Sequence, residues 1–166
     1  MRVKALRCVA QLNLPQCYIA AGFVRNLVWD SLHKAEQSTL LNDVDVIYFD
    51  PQESNPGKNL LYERQLTKLM PELNWQVRNQ ATMHTANGDL PYTSSLDAMR
   101  HWPEKETAVG IRQVGLSQYE CIAAFGFESL LKGYVTFNSI GSRLAYDHRL
   151  KSKGWLKQWP LLKVSS

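Results

Sequence analysis

The sequence lacks the short motifs that mark the commonest nucleotide-binding, metal-binding and ester-cleaving sites. It contains no G-x-G-x-x-G, no G-x-x-x-x-G-K-[ST], no H-E-x-x-H, no C-x-x-C and no G-x-S-x-G. These absences remove the simplest Rossmann, Walker-type ATPase, zinc-site and esterase interpretations.

Cysteine is scarce, and long apolar runs are missing. Cys8, Cys17 and Cys121 are widely spaced and odd in number, as expected for reduced thiols in a cytoplasmic protein. The start, Met1–Lys4, carries positive charge, but no long apolar run follows it, which argues against a signal peptide. No stretch is long enough to span a bilayer. We therefore expect a cytoplasmic protein without membrane contact.

What the sequence does contain is an ordinary globular composition, with 45% hydrophobic and 20% charged residues and no repeat or biased tract. Its length of 166 residues predicts a single domain covering residues 1–166. The net charge of +4 mildly favours anionic partners such as nucleotides or RNA. This charge is far below that of a dedicated nucleic-acid-binding protein.

The segment Ala21–Asn26 predicts a tight turn between an apolar strand, Tyr18–Ala21, and a helix, Phe23–His33. Gly22 and the helix start would offer backbone N–H groups and a positive dipole end to a phosphate. Arg25, in the first helical turn, has two interpretations of equal weight. Its guanidinium either contacts a triphosphate or is the structural partner of a nearby carboxylate, Asp43 or Asp45.

The segment Asn42–Val46 opens a second apolar strand, Val44–Phe49. Side chains alternate along a strand, so Asp43 and Asp45 point the same way and lie close together. Two adjacent carboxylates resist joint ionisation unless a cation lies between them. The pair predicts a Mg²⁺ (or Mn²⁺) site, because Mg²⁺ takes one or two carboxylates and completes its shell with water and phosphate. The alternative is structural, since a glycine turn and an Asn-Asp step are both common for backbone reasons alone.

Two further elements bear on this interpretation. Helix 23–33 has an apolar stripe at helical spacing, formed by Val24, Leu27, Val28 and Leu32. Another side of the helix carries Arg25, Asn26, Trp29 and His33. We expect Trp29 to pack there rather than to stack on a base.

The basic tail, residues 143–163, contains Trp155 and Trp159. It either binds nucleic acid by stacking and charge or, as we favour, forms an amphipathic helix that closes the core.

Longer strings add a resemblance to a known family. They are AGFVRNLVWDSLH, NDVDVIYFD, WQVRNQATMH, PYTSSLDAM, HWPEKETAVGIR and KGWLKQWP. The first two are similar to the head of the DNA-polymerase-beta-like nucleotidyltransferases, which include the tRNA CCA-adding enzymes. Together the strings resemble a bacterial nucleotidyltransferase-like family of that superfamily, whose substrate is unassigned. The match runs from about Ala20 to Pro160.

The resemblance implies an α/β (α+β) fold of the polymerase-beta-like nucleotidyltransferase type, with a mixed sheet and helices mainly on one face. It also implies a metal-dependent enzyme that moves a nucleoside monophosphate from an NTP to an acceptor and releases pyrophosphate. The acceptor is open among small molecules, proteins and RNA. The alternative is a catalytically inactive module on the same fold that binds nucleotide, RNA or protein.

The resemblance also assigns roles to individual residues. Asp43 and Asp45 become the catalytic metal ligands. Such enzymes generally place a third acidic residue on a later strand, and Glu120, within the predicted strand 119–124, is the expected one. The alternative of equal weight is that Glu120 is an outward-facing strand residue. Glu104, Glu106 and Asp97 are fallbacks for this role. The nucleotide-binding residues implied by the matching strings are Gly22, Phe23, Arg25, Asn26, Asn79 and His84.

Overall fold

The computed structural model describes residues 1–166 and contains eight α-helices and seven β-strands. The helices are α1 (Arg2–Ala10), α2 (Gly22–Leu32), α3 (Lys58–Leu69), α4 (Gln80–Asn87), α5 (Ser95–Met99), α6 (Glu128–Leu131), α7 (Arg143–Ser152) and α8 (Trp155–Gln158). The strands are β1 (Tyr18–Ala20), β2 (Val44–Tyr48), β3 (Trp75–Asn79), β4 (Val109–Gly115), β5 (Gln118–Ala123), β6 (Tyr134–Thr136) and β7 (Lys163–Ser165). None of the helices has the length and apolarity that crossing a membrane requires.

Five strands form one mixed sheet in the order β3-β2-β1-β4-β5. Strand β1 is antiparallel to both of its neighbours, β2 and β4. Strand β3 is parallel to β2, and β4 and β5 form an antiparallel hairpin. Strands β6 and β7 make a separate parallel pair. The predicted mixed sheet with flanking helices is confirmed.

The two faces of the sheet are covered differently. Alternate residues of β2, namely Val44, Val46 and Tyr48, face a core that includes residues of α1 and α3. The intervening residue Ile47 points to the opposite face, where it packs in a smaller cluster with Met99 of α5. Asp45 has the same parity as Ile47, so it also lies on this less covered face.

The C-terminal quarter of the chain packs around α2. Trp29 is fully buried and contacts the rings of Trp155 and Trp159 edge-on, with centroid distances of 5.8 and 5.1 Å. The two tail tryptophans are therefore part of the core, as favoured from the sequence. The tail is not one helix, because Gly154 adopts a left-handed conformation with φ +65° and separates α7 from α8.

The predicted orientation of α2 was wrong. Leu27 and Leu32 of the apolar stripe are 45% and 38% exposed, whereas Arg25 and Trp29 are 6% and 0% exposed. Helix α2 packs on the sheet core through Phe23 and on the C-terminal cluster through Trp29. An apolar stripe predicts one buried face, and this helix has two packing partners on different sides.

Candidate functional site

The turn from β1 into α2 holds an unusual backbone conformation. Ala21 has φ +54° and ψ −122°, a region that glycine adopts readily and other residues rarely do. Its N–H donates to the carbonyl oxygen of Val109 on β4 (2.9 Å), which fixes the turn to the sheet. The sequence places a glycine in this turn, but the strained residue is Ala21. Such conformations persist where the surroundings impose them, and they concentrate at functional sites.

Gly22 is the first residue of α2, and its φ is not positive. A Cβ at this position would lie 3.5 Å from Arg25 Nη2 and from the Asn26 amide group, which is ordinary contact. The backbone conformation at this position therefore does not require a glycine. Its missing side chain leaves the first N–H groups of the helix accessible. The N–H groups of Gly22 and Phe23 open the helix and have no intrahelical acceptor.

The two aspartates lie beside this turn because of the strand register. Asp45 is paired with Ala20 across the antiparallel β1–β2 ladder, one residue before the turn. Asp43 accepts a hydrogen bond from Asn74 Nδ2 (2.6 Å). Asp45 is half-buried and accepts no hydrogen bond from the protein. The carboxylate pair therefore faces the start of α2, as the alternation of β2 predicts.

Burial raises the pKa of Asp45, and the nearby Asp43 charge raises it further. The positive charges of Arg25, Arg149 and Lys153 act in the opposite direction. Ionised Asp45 in the folded protein therefore costs free energy of desolvation. Neither aspartate forms an ion pair with an arginine or lysine, so their charge is available to a ligand.

Arg25 is fixed in place by other groups. Its Nη1 donates to Thr107 Oγ1 (2.7 Å) and its Nη2 donates to Asn26 Oδ1 (3.1 Å). Its guanidinium lies 4.9 Å from the ring centre of Trp29 and 4.6 Å from that of Trp155. Burial lowers its pKa to about 10. The structure therefore shows no Arg25–aspartate ion pair, which removes that structural interpretation.

Two cations from the C-terminal part of the chain complete the site. Arg149 of α7 donates from Nε to Glu104 Oε1 (2.7 Å). Lys153, directly after α7, is exposed and makes no ion pair. In the sequence both residues stand out only as members of a basic tail. The available signal was the charge of that tail, because residues 129–166 contain seven lysines and arginines and one aspartate.

Together these groups line one open cleft of about 460 Å³. It is lined by Ala21, Gly22, Arg25, Asn26, Thr39, Leu40, Leu41, Asn42, Asp43, Asp45, Arg149, Lys153, Trp155, Gln158 and Trp159. We call the two carboxylates and the start of α2 the acidic wall of this cleft, and Arg149 with Lys153, from the C-terminal part of the chain, its cationic wall. A cleft of this charge pattern can hold a metal-bound anion between its walls.

Glu120 lies outside this cleft. It is on the same face of the sheet as Asp45, but β5 is three strands from β2, a separation of about 14 Å at the usual strand spacing. Its carboxylate pairs with Arg112 Nη2 (2.8 Å) and accepts a hydrogen bond from Tyr18 (2.9 Å). The expected third carboxylate is thus not brought to Asp43 and Asp45.

Asn79 and His84 are also outside the cleft. Asn79 pairs with Tyr48 at the far end of β2, three residues beyond Asp45, and its side chain caps α4. His84 lies on α4 and hydrogen-bonds through Nδ1 to the Ala81 carbonyl oxygen (3.0 Å). Both side chains therefore serve the α4 segment in this structure.

One further residue expected to contact nucleotide and two of the fallback acids also have defined places. The Phe23 side chain is 3% exposed and packs in the sheet core, so only its backbone N–H belongs to the helix start. The fallback residues Glu104 and Glu106 are each 1% exposed, and neither lines the cleft.

The cleft residues fit a magnesium ion. No group of three or more histidine, cysteine, aspartate or glutamate side chains is placed to hold a metal. Asp43 and Asp45 are, however, the one or two carboxylates that Mg²⁺ requires when water and substrate phosphate complete its shell. The lack of hydrogen bonds to the half-buried Asp45 carboxylate is what such a ligand position needs.

Comparison with known proteins bears on the fold and the family of this chain. Among solved structures, an NMR structure described as revealing a CCA-adding enzyme head domain shares 32% sequence identity, with a TM-score of 0.85 over 98% of this chain and 87% of that chain. A structure of a tRNA-processing enzyme complex shares 16% identity, with a TM-score of 0.50 over 98% of this chain and 43% of that chain. The second likeness supports the fold alone. No curated protein matches the sequence.

The family itself is identified by the sequence. Residues 7–164 match the sequence model of a family described as Nucleotidyltransferase. The match covers nearly the whole chain, and the likeness to the CCA-adding enzyme head domain confirms the fold type that the sequence strings implied. The chain therefore belongs to the nucleotidyltransferase family.

Proposed function

We propose that this protein is a metal-dependent nucleotidyltransferase that moves a nucleoside monophosphate from an NTP to an acceptor hydroxyl and releases pyrophosphate. The register of β1 and β2 carries this proposal, because it sets Asp45 opposite Ala20 and so beside the start of α2. The carboxylate pair and the phosphate-binding helix start then face the same cleft. Family membership supplies nucleotidyl transfer as the general reaction.

Asp43 and Asp45 would hold Mg²⁺ at the floor of the cleft. When bound, the ion supplies positive charge where negative charge grows on the phosphate and the leaving group. The aspartates fix its position relative to α2, and the Asn74 amide holds one oxygen of Asp43. Because β2 is a central strand of the sheet, this geometry is preorganised and requires no reorganisation during the reaction.

The triphosphate would lie between the helix start and the cationic wall. The free N–H groups of Gly22 and Phe23 and the dipole of α2 favour anionic oxygens. Arg149 and Lys153 supply charge from the other wall. Arg25 holds Asn26 and Thr107 in place and adds positive charge near Asp45.

The acceptor is proposed by similarity. The similar NMR structure is described as a CCA-adding enzyme head domain, so tRNA is the first acceptor to test. Small-molecule and protein hydroxyls form the second and third groups. All three place an oxygen nucleophile at the metal-bearing floor of the cleft.

A labelled-NTP transfer screen against cell extract, with wild type and Asp45→Asn in parallel, tests the proposal. Label in an acceptor and stoichiometric pyrophosphate, both lost in the variant, are the expected result. A separate measurement follows the melting temperature with Mg²⁺ and each NTP. Stabilisation by Mg²⁺ and NTP with no transfer to any extract fraction would favour the inactive binding module instead.

A further inference from the structure

Glu104 is a buried acid whose side chain has a single hydrogen-bond partner, and that partner lines the cleft. It is 1% exposed and directly precedes the short 3₁₀ helix Lys105–Thr107. Its Oε1 accepts a hydrogen bond from Arg149 Nε at 2.7 Å. The same segment supplies the Thr107 hydroxyl that binds Arg25. Residues 104–107 thus hold both arginines that line the cleft.

This ion pair is poorly explained as a contribution to stability. Glu104 Oε2 is buried and has no hydrogen-bond partner. A buried carboxylate with one unsatisfied oxygen costs free energy of desolvation that a single ion pair offsets only in part. An apolar residue of similar size would fill the position at a lower cost. The acid therefore has to be explained by what it does to Arg149.

Arg149 is held in a way that leaves its outer nitrogens available. Its side chain is 31% exposed, and only Nε is hydrogen-bonded within the protein. Its guanidinium also lies 5.6 Å from the ring centre of Trp155, which limits its movement on one side. Its two Nη groups have no hydrogen-bond partner in the protein, and the residue lines the cleft, so a planar fork suited to phosphate oxygens is available there.

We infer that Glu104 is a positioning residue that orients Arg149 toward the triphosphate of the bound NTP. The inference rests on the proposed function, since it requires an NTP in this cleft. Glu104 does not contact the substrate and does not bind metal. It acts through the direction in which it fixes Arg149 Nε.

Glu106 provides a matched control two residues away. It is also 1% exposed, and it accepts hydrogen bonds from the backbone N–H and hydroxyl of Thr136, both at 2.7 Å. Glu106→Gln therefore makes the same chemical change at the same depth, at a residue that has no hydrogen bond or ion pair with a cation of the cleft. Loss of stability is expected in both variants, and loss of triphosphate affinity is expected in Glu104→Gln alone.

Calorimetric binding of the four NTPs and of their monophosphates, in Mg²⁺, measures this effect without requiring turnover. Glu104→Gln replaces the charged acceptor of Arg149 Nε by a weaker neutral one, so Arg149 is held less firmly. NTP binding should weaken by up to about tenfold, the scale of one charge-assisted hydrogen bond, and NMP binding should be unchanged. Glu106→Gln should leave the ratio of NTP to NMP affinity at its wild-type value. In an Arg149→Gln background, Glu104→Gln should have no further effect on NTP affinity.

The Glu104→Gln/Arg149→Gln double variant keeps the test valid if Glu104→Gln alone folds poorly. It removes both members of the ion pair, so it leaves no unpaired buried charge. NTP binding that Glu104→Gln leaves intact, or a second loss in the Arg149→Gln background, would overturn the role of Glu104 while the proposed function stands. A wild-type protein that binds no NTP would overturn both.

Discussion

The two walls of the cleft are built from different parts of the chain and in different ways. The acidic wall comes from a turn and an inner strand of the sheet. Asp45 is placed by the backbone ladders of β2 with β1 and β3, and Asp43 lies directly before β2, where it accepts a hydrogen bond from Asn74 Nδ2. The cationic wall comes from α7 and the segment after it, and Arg149 is placed by a side-chain ion pair. Rigid backbone therefore positions the groups proposed for chemistry, and side-chain contacts position the groups proposed for binding.

The charged residues are also distributed unequally between these two parts of the chain. Residues 129–166 contain seven lysines and arginines and one acidic residue, whereas residues 1–128 contain twelve and fourteen. The small net charge of +4 hides this separation. The difference between the walls leads to a specific expectation: changes in the acidic wall lower the rate of transfer, and changes in the cationic wall weaken substrate binding.

The largest effect is expected from Asp45→Asn. Loss of this carboxylate removes charge from the proposed metal site, so kcat should fall by at least about two orders of magnitude. Steady-state transfer with saturating NTP and acceptor measures this. Circular dichroism should show an unchanged fold, because Asn preserves the size and shape of the side chain. Full transfer activity in an Asp43→Asn/Asp45→Asn double variant would reject the site.

A smaller effect, in KM, is expected from Lys153→Gln. This ammonium group is exposed, lines the cleft and makes no ion pair, so its loss removes only attraction for the triphosphate. KM for NTP should rise about fivefold with kcat nearly unchanged, the pattern of lost uniform binding, and the rise should shrink at high salt.

Lys157→Gln is the matched control for that variant, because Lys157 belongs to the same basic segment but does not line the cleft. Its KM should equal that of the wild type. If Lys153→Gln lowered kcat instead and left KM unchanged, the assignment of catalysis to the acidic wall and of binding to the cationic wall would be wrong.

The acidic wall could be predicted from the sequence because its signals are local. Two aspartates two residues apart in an apolar strand, and a glycine at a strand–helix junction, indicate their own arrangement. Glu120 was expected as a third acidic residue from the resemblance alone, and it does lie on the same face of the sheet as Asp45. The expectation fails on distance, because neither the resemblance nor alternation along a strand says how many strands lie between two residues, and the order β2-β1-β4-β5 fixes that number.

The cationic wall could not be predicted in this way. Arg149 and Asp45 are brought together by the packing of Trp29 against Trp155 and Trp159, which joins α2 to α8 across more than a hundred residues. The apolar stripe of α2 gave the wrong buried face for the same reason. Long-range contacts of this kind have no periodic signature, and only the excess of basic residues in the tail pointed to them.

Asp45→Asn should also raise stability, by a modest amount. Burial and Asp43 raise the pKa of Asp45, so the folded state binds its proton more tightly than the unfolded state does. Ionised Asp45 therefore destabilises the fold at neutral pH. The variant should melt about 2–4 °C higher at pH 7.5, the shift that about 1 kcal/mol gives for this size.

The pH dependence checks the sign of that effect. The gain in melting temperature should decrease as the pH falls through the folded pKa of Asp45. It should vanish below about pH 4, near the unfolded value, where the wild-type carboxyl is protonated in both states. A variant less stable than the wild type at pH 7.5 would show that Asp45 makes a favourable contact in the free protein.

The smallest effect is expected from Glu120→Gln. This variant tests whether a carboxylate on the same sheet face as Asp45, but outside the cleft, takes part in the reaction. Hydrogen bonds from Arg112 and then Tyr18 lower the pKa of Glu120, so its contribution to stability is present at neutral pH and is lost as the pH falls through the folded value. Its side chain is 43% exposed, so solvent screening keeps that contribution small. Transfer should stay within about twofold of the wild type, since a group on a strand about 14 Å from β2 has no contact with the reacting phosphate. A loss comparable to that of Asp45→Asn would require β5 to approach β2 during the reaction, and the carboxylate wall would then include a mobile third member.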